Sequence, residues 1–172
     1  MFILGESWYG EYPDDLVTDD GYVRAYLAGR KSDGMYTRMA NACGMTKEAF
    51  WNSIVFTNFA QRVGPSRTDR PTDRQYREAI PRLQRILSEQ KPRGVWVLGL
   101  EQGKISAPVI QSAGIPCEVA AHPTSYGLTN RKLGESWRRL LAKLDCQGAA
   151  AENRDHAAQP RSPPDAPQAV RR

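Results

Sequence analysis

A chain of 172 residues with 40% hydrophobic and 25% charged side chains has the make-up of one soluble globular domain. Its longest apolar runs are strand-sized, which excludes a membrane-spanning helix, and no basic flank with an apolar stretch marks a signal peptide; Met1 leads straight into the first strand. Lys plus Arg number 24 against 19 acidic residues, a net charge of +5 that suits a polyanionic partner but does not by itself demand one.

The opening residues Met1 to Leu4 read as a short buried strand, broken by Gly5, which starts a loop of polar and aromatic groups, Glu6-Ser7-Trp8-Tyr9. A strand ending in Gly and polar residues is where an open α/β sheet places its ligand. Asp14, Asp15, Asp19 and Asp20 follow without the spacing of a calcium loop, so a solvated acidic connection is the plainer reading and no metal site is expected. Three short helices come next: Gly21 to Arg30, Met35 to Cys43, and one from Thr46 to Trp51 with Thr46 as its N-cap.

Ser53 to Asn58 is rich in β-branched and aromatic residues and reads as the second strand. A basic loop follows, Arg62 to Arg70, then an amphipathic helix from Pro71 to Gln90 that Pro81 should bend or break. Gly94 to Gly99 is the third strand, Ile105 to Ala113 a helix closed by Gly114, and Pro116 to Ala121 the fourth strand, ending on His122-Pro-Thr-Ser-Tyr126. The last helix runs from Arg131 to Leu144. Alternating strands and helices predict an α/β fold, a three-layer α/β/α sandwich around a mostly parallel four-stranded sheet in residues 1–145. Residues 146–172 are rich in Ala, Pro and Arg and read as a disordered tail. Cys43, Cys117 and Cys146 are odd in number and widely spaced, which suits reduced, mostly buried thiols in a cytosolic protein.

Parallel strands bring their C-terminal ends to one edge. Glu6 and Ser7, Asn58, and His122 would therefore meet there. A carboxamide both donates and accepts, which suits a base edge, and a histidine is a natural donor to a developing oxyanion. Taken singly, each has a plainer role: Asn as a turn former, His before Pro as a structural hydrogen bonder. Their order and common placement carry more weight than any one of them.

That pattern resembles the uracil-DNA glycosylase superfamily, over about residues 1–145. Gly5-Glu-Ser-Trp-Tyr-Gly10 stands where the family has first motifs such as GQDPYH, GEAPG or GINPG, and His122-Pro-Thr-Ser-Tyr-Gly127 stands where it has HPSPLS. Phe56-Thr-Asn58 matches an Asn closing the second strand, and Val95-Trp-Val-Leu-Gly99 an apolar strand ending in Gly. The resemblance implies a monofunctional DNA glycosylase that flips a deaminated base, uracil or a purine, and hydrolyses its N-glycosidic bond without cofactor.

It further implies that His122 stabilises charge on the departing base, Asn58 reads the base, and Tyr9 forms the pocket wall. Gly5 and Trp8 join the pocket, Thr124 and Ser125 hold phosphates, and Tyr126 lies near the vacated base position. Arg62, Arg67, Arg70, Arg74 and Arg77 would add a basic DNA-facing surface, unless they are only a solvated charged face. Ser7 replaces the Asp or Asn of relatives and cannot carry charge; Glu6 is the acid left to compensate. Trp8 likewise replaces a proline, and the form with Glu at this place usually accompanies a four-cysteine cluster, absent from this sequence. Trp8, Tyr12, Tyr22 and Phe59 are the candidates to stack on the base. The expected partner is DNA bearing a damaged base, bound by a cytoplasmic monomer. The alternatives are a base- or nucleic-acid-binding module that has lost water activation, or a nucleotide-processing enzyme of a different α/β class.

Overall fold

The computed structural model describes residues 1–9, 19–64, 66 and 69–158, with 148–158 described by the course of the backbone alone. Among the described residues six strands and seven helices follow one another along the chain: β1 (Phe2–Gly5), β2 (Trp8–Tyr9), α1 (Asp19–Leu27), α2 (Gly34–Ala42), α3 (Lys47–Asn52), β3 (Val55–Asn58), β4 (Val63–Gly64), α4 (Asp73–Glu78), α5 (Ile80–Gln90), β5 (Val95–Leu98), α6 (Leu100–Ser112), β6 (Cys117–Ala120) and α7 (Asn130–Ala158). β3, β1, β5 and β6 form, in that order, a four-stranded sheet in which every pairing is parallel.

Side chains on successive strand residues point to opposite faces, and here both faces are apolar. Ile3, Trp96 and Leu98 pack on one side with Tyr22, Tyr36, Phe50 and Trp137, the side covered by α1, α2, α3 and α7. Phe2, Leu4, Val95 and Val97 pack on the other with Tyr76, Leu83, Leu87 and Ile110, under α4, α5 and α6. The result is the expected three-layer α/β/α sandwich, with β1 and β5 central and shielded on both faces. One buried indole on the first side is satisfied across layers: Trp96 Nε1 donates to Ser136 Oγ at 3.0 Å.

Local chemistry accounts for several helix starts. Thr46 caps α3 by accepting from Ala49 N–H, and Asp33 caps α2 by accepting from Met35 and Tyr36 N–H. The helix expected over Pro71–Gln90 is broken at Ala79 into α4 and α5, with Pro81 at the start of the second piece, where its missing N–H loses no bond. Other features differ from the sequence reading, among them α6, which begins at Leu100 and not at Ile105. Gly5 is the last residue of β1, in register with Asn58, and does not end the strand before itself. The final helix passes Leu144 and continues to Ala158, into the segment read as tail; Ala149 to Glu152 are strong helix formers and supply the reason. Residues 159–172, and Asp14, Asp15 and Tyr12, lie outside the described residues. Among the described residues no helix is long and apolar enough to cross a membrane, and no cluster of metal ligands forms.

The α2–α7 crossing is close enough to require glycine. A Cβ on Gly134 would stand 2.3 Å from the carbonyl oxygen of Ala42. Backbone cannot yield there as a flexible side chain would, so Gly134→Ala is expected to lower stability by roughly 2 kcal/mol despite alanine's better helix propensity. Urea unfolding checks this; an unchanged midpoint would mean that the helices separate without strain.

Candidate active site

The C-terminal ends of β1, β3, β5 and β6 surround a cleft of about 680 Å³, at the place where open α/β sheets hold ligands. Gly5, Glu6, Ser7, Trp8, Tyr9, Asn58, His122, Thr124 and Ser125 all line it, so one cavity gathers nine of the residues expected at the site. Tyr126 is fully exposed and does not line the cleft. Arg62 is also outside it, and Arg67 lies outside the described residues.

The floor is built by the pairing of β1 with β3. Gly5 and Asn58 are register partners, and the Asn58 side chain lies over Gly5 so closely that a Cβ there would meet Asn58 Oδ1 at 2.4 Å and Phe56 Cζ at 2.8 Å. Any side chain at position 5 would therefore have to displace the amide that crosses it. Asn58 is 3% exposed, and its carbonyl accepts from Gln61 Nε2 at 2.8 Å and Arg82 Nη1 at 3.0 Å, which fixes the strand end. Past β1 the chain is pinned to the loop after β3: Gly5 and Glu6 carbonyls accept from Phe59 and Ala60 N–H, and β2 pairs in parallel with β4. The two-residue β2–β4 ladder is too short to leave a periodic signal in the sequence.

Glu6 is the electrostatic centre. It is 3% exposed, and its oxygens accept from the Tyr9 hydroxyl (2.9 Å), the Tyr76 hydroxyl (2.5 Å), Arg70 Nη2 (2.5 Å) and Arg70 Nε (3.3 Å). Burial pushes its carboxyl upward, but the hydrogen bonds from Arg70, Tyr76 and Tyr9 outweigh it and hold the group below the ordinary carboxylate range. The partners respond in kind. Burial and then the bond to Glu6 push the Tyr76 phenol up, burial raises Tyr9, and the bond to Glu6 raises the Arg70 guanidinium. A charged carboxylate–guanidinium pair flanked by two protonated phenols therefore persists across neutral pH. Ser7 is buried, and its Oγ makes no hydrogen bond among the described residues, though the hydroxyl is close enough to Tyr9 to oppose the rise there.

His122 is held by its own turn. Thr124 N–H donates to His122 Nδ1 at 3.3 Å and the Thr124 hydroxyl lies 2.8 Å from the same nitrogen. With Nδ1 accepting, the ring proton sits on Nε2, which becomes the donating nitrogen. Arg38 of α2 straps this loop down by donating to the carbonyls of Pro123 and Leu128 and, at 2.8 Å, to Asn130 Oδ1. Arg38 lines the cleft as well, as does Asp33, whose carboxylate caps α2 and accepts from Tyr22 hydroxyl at 2.9 Å. Sequence reasoning missed both in the site. The Asp ahead of a helical pattern is an N-cap signature that could have placed Asp33 at that end of α2; nothing local marks Arg38, whose partners are about ninety residues away.

Of the stacking candidates, Trp8 and Tyr22 line the cleft, with ring centroids 5.3 Å apart. Phe59 stacks on Tyr76 beneath the sheet and is not part of the lining. Phe56 and Tyr36 join the lining instead. The basic cluster is largely paired within the chain: Arg62 with Asp69 at 2.5 Å, Arg70 with Glu6, and Arg74 with Glu78 at 2.8 Å. The cleft as a whole offers an imidazole donor, a carboxamide, a guanidinium and aromatic faces around a space sized for a nucleoside-like ligand. Compared with known proteins, the chain matches no family model and no curated protein.

Proposed function

We propose that this cleft takes a base flipped out of DNA and hydrolyses its N-glycosidic bond, and that the chain is an atypical member of the uracil-DNA glycosylase superfamily. The observation that carries the reading is the convergence, in one cleft at the carboxyl edge of a parallel sheet, of the Gly5–Tyr9 loop, Asn58 laid over Gly5, and the His122–Ser125 turn. Three chain segments that look unrelated along the sequence supply the three functions that base excision needs: a wall, a base reader and an oxyanion donor.

In this reading the base enters against Trp8, Tyr22 or Phe56, and Asn58 pairs with its edge. The C1′–N bond breaks with its electron pair passing to the base. His122 Nε2–H donates to the base oxygen on which the charge gathers. Water adds to C1′, and the proton it loses ends on the departed base anion by way of solvent, leaving neutral free base and an abasic sugar. Negative potential for the cationic sugar comes from Glu6 and Asp33. Glu6 is shared with Arg70 and two phenols, so its help is weaker than that of a free carboxylate, and Ser7 adds none.

That engagement of Glu6, together with the uncharged Ser7, favours one second reading: a module that binds flipped bases without hydrolysing them. Duplex oligonucleotides carrying uracil, hypoxanthine or xanthine, incubated with the protein and then treated with alkali, separate the two. Strand scission at the damaged base is expected for the glycosylase. Retention of those duplexes without scission, at every protein concentration, would leave only the binding module.

A further inference from the structure

Arg70 presents more to the cleft than its ion pair uses. Its Nε and Nη2 meet the two oxygens of Glu6 side-on, and the remaining edge, Nη1 with the outer Nη2–H, makes no hydrogen bond among the described residues. The head group abuts a carboxylate whose side chain is 4% exposed, while 47% of the Arg70 side chain remains accessible. Tyr9 and Tyr76 hold the Glu6 carboxylate in place by donating to it, and Glu6 in turn orients the guanidinium. Arg70 and Asn58 line the same cleft, and the Nη1/Nη2 edge carries two parallel N–H donors that the ion pair leaves unused.

We propose that Arg70 is the specificity-determining residue of this cleft and that the base it selects is a 6-oxopurine, read at O6 and N7 by the free edge of the guanidinium. A guanidinium fork matches two adjacent acceptors, and O6 with N7 is the pair that such purines show on one edge. Adenine places an amino group where O6 would be, setting donor against donor. Cytosine likewise presents an amine, and uracil offers O4 with no second acceptor beside it. The two other chemistries that a fork could take fit less well. A phosphate would meet a guanidinium whose charge Glu6 already neutralises, so only oriented dipoles remain, and these suit a neutral carbonyl better than an anion. Substrate carboxylates are disfavoured on the same ground. Hydrolytic deamination of adenine, which turns the 6-amino group into an oxo group, is the class of reaction that would newly create this edge in DNA, whereas guanine already carries it.

This inference rests on the base-excising reading, and the test separates the two. Trp8 lines the cleft and reports binding by its fluorescence. Free hypoxanthine is expected to bind the intact protein about tenfold more tightly than 7-deazahypoxanthine, which lacks only the N7 acceptor, and than adenine. That comparison alters the ligand and leaves the fold untouched. Arg70→Lys keeps a cation beside Glu6 but has no fork, and is expected to abolish the N7 preference. Guanine shares O6 and N7, so its ratio to hypoxanthine should not change in that variant. Equal affinity for hypoxanthine and 7-deazahypoxanthine in the intact protein would overturn the inference while leaving excision standing. So would displacement of hypoxanthine by an equal concentration of inorganic phosphate. Binding of none of these bases, and no release of any damaged base from DNA, would overturn both together.

Discussion

Glu6→Ala is expected to destabilise the fold by about 4 kcal/mol, the largest stability loss of any single substitution at the site. Removing the carboxylate strands three donors at once: the hydroxyl of Tyr76, itself 1% exposed, the Tyr9 hydroxyl, and the inner edge of Arg70. Arg70 is half-exposed and can turn to water, which keeps the figure from rising further. The pH dependence gives an independent check. The folded-state carboxyl is held below its ordinary value of 4.5, so its stabilisation is fully present above about pH 4.5 and is lost as pH falls through the lower folded value. The stability gap between the parent and Glu6→Gln, followed by urea unfolding, should therefore be constant at neutral pH and narrow on the acid side. A gap that stays the same throughout the acid limb would show that Glu6 acts through packing and not through its charge.

His122→Ala is expected to slow base release by about 10²–10³-fold with little change in substrate affinity, the loss typical of removing one donor to a developing oxyanion. The side chain is half-buried and packs in no core cluster, so stability should hardly move. Thr124→Val is the companion variant. It removes the hydroxyl beside Nδ1 but leaves the backbone N–H that sets the tautomer, and a partial loss is expected. A His122→Ala protein that releases base at the parent rate would remove the imidazole from the mechanism.

Much of the fold could be read before any coordinates. Each central strand is a run of four apolar residues bounded by glycine or a polar turn, and covering both faces of such strands leaves few solutions besides a parallel sheet between helices. The strand-end residues Glu6, Asn58 and His122 were legible for the same reason: once the strands are parallel, their carboxyl ends share an edge. What stayed hidden depends on partners distant in the chain. Arg70 looked like one arginine of a basic, DNA-facing loop, and only its contact with Glu6 turns it inward. Phe59 was a reasonable stacking residue by position, but it points to the α4–α6 layer and stacks on Tyr76. The overrun of α7 past Leu144 was obscured because the apolar stripe ends there while alanine propensity carries the helix on.

Cutting of the bond between a flipped base and its sugar is the activity proposed for this cleft. Mass spectrometry of the small molecules released from duplex DNA containing a single hypoxanthine addresses it directly. Free hypoxanthine is expected in step with abasic sites, slowed by about 10²–10³-fold in His122→Ala; intact DNA and no free base from a correctly folded protein, with uracil and xanthine duplexes equally untouched, would contradict base excision.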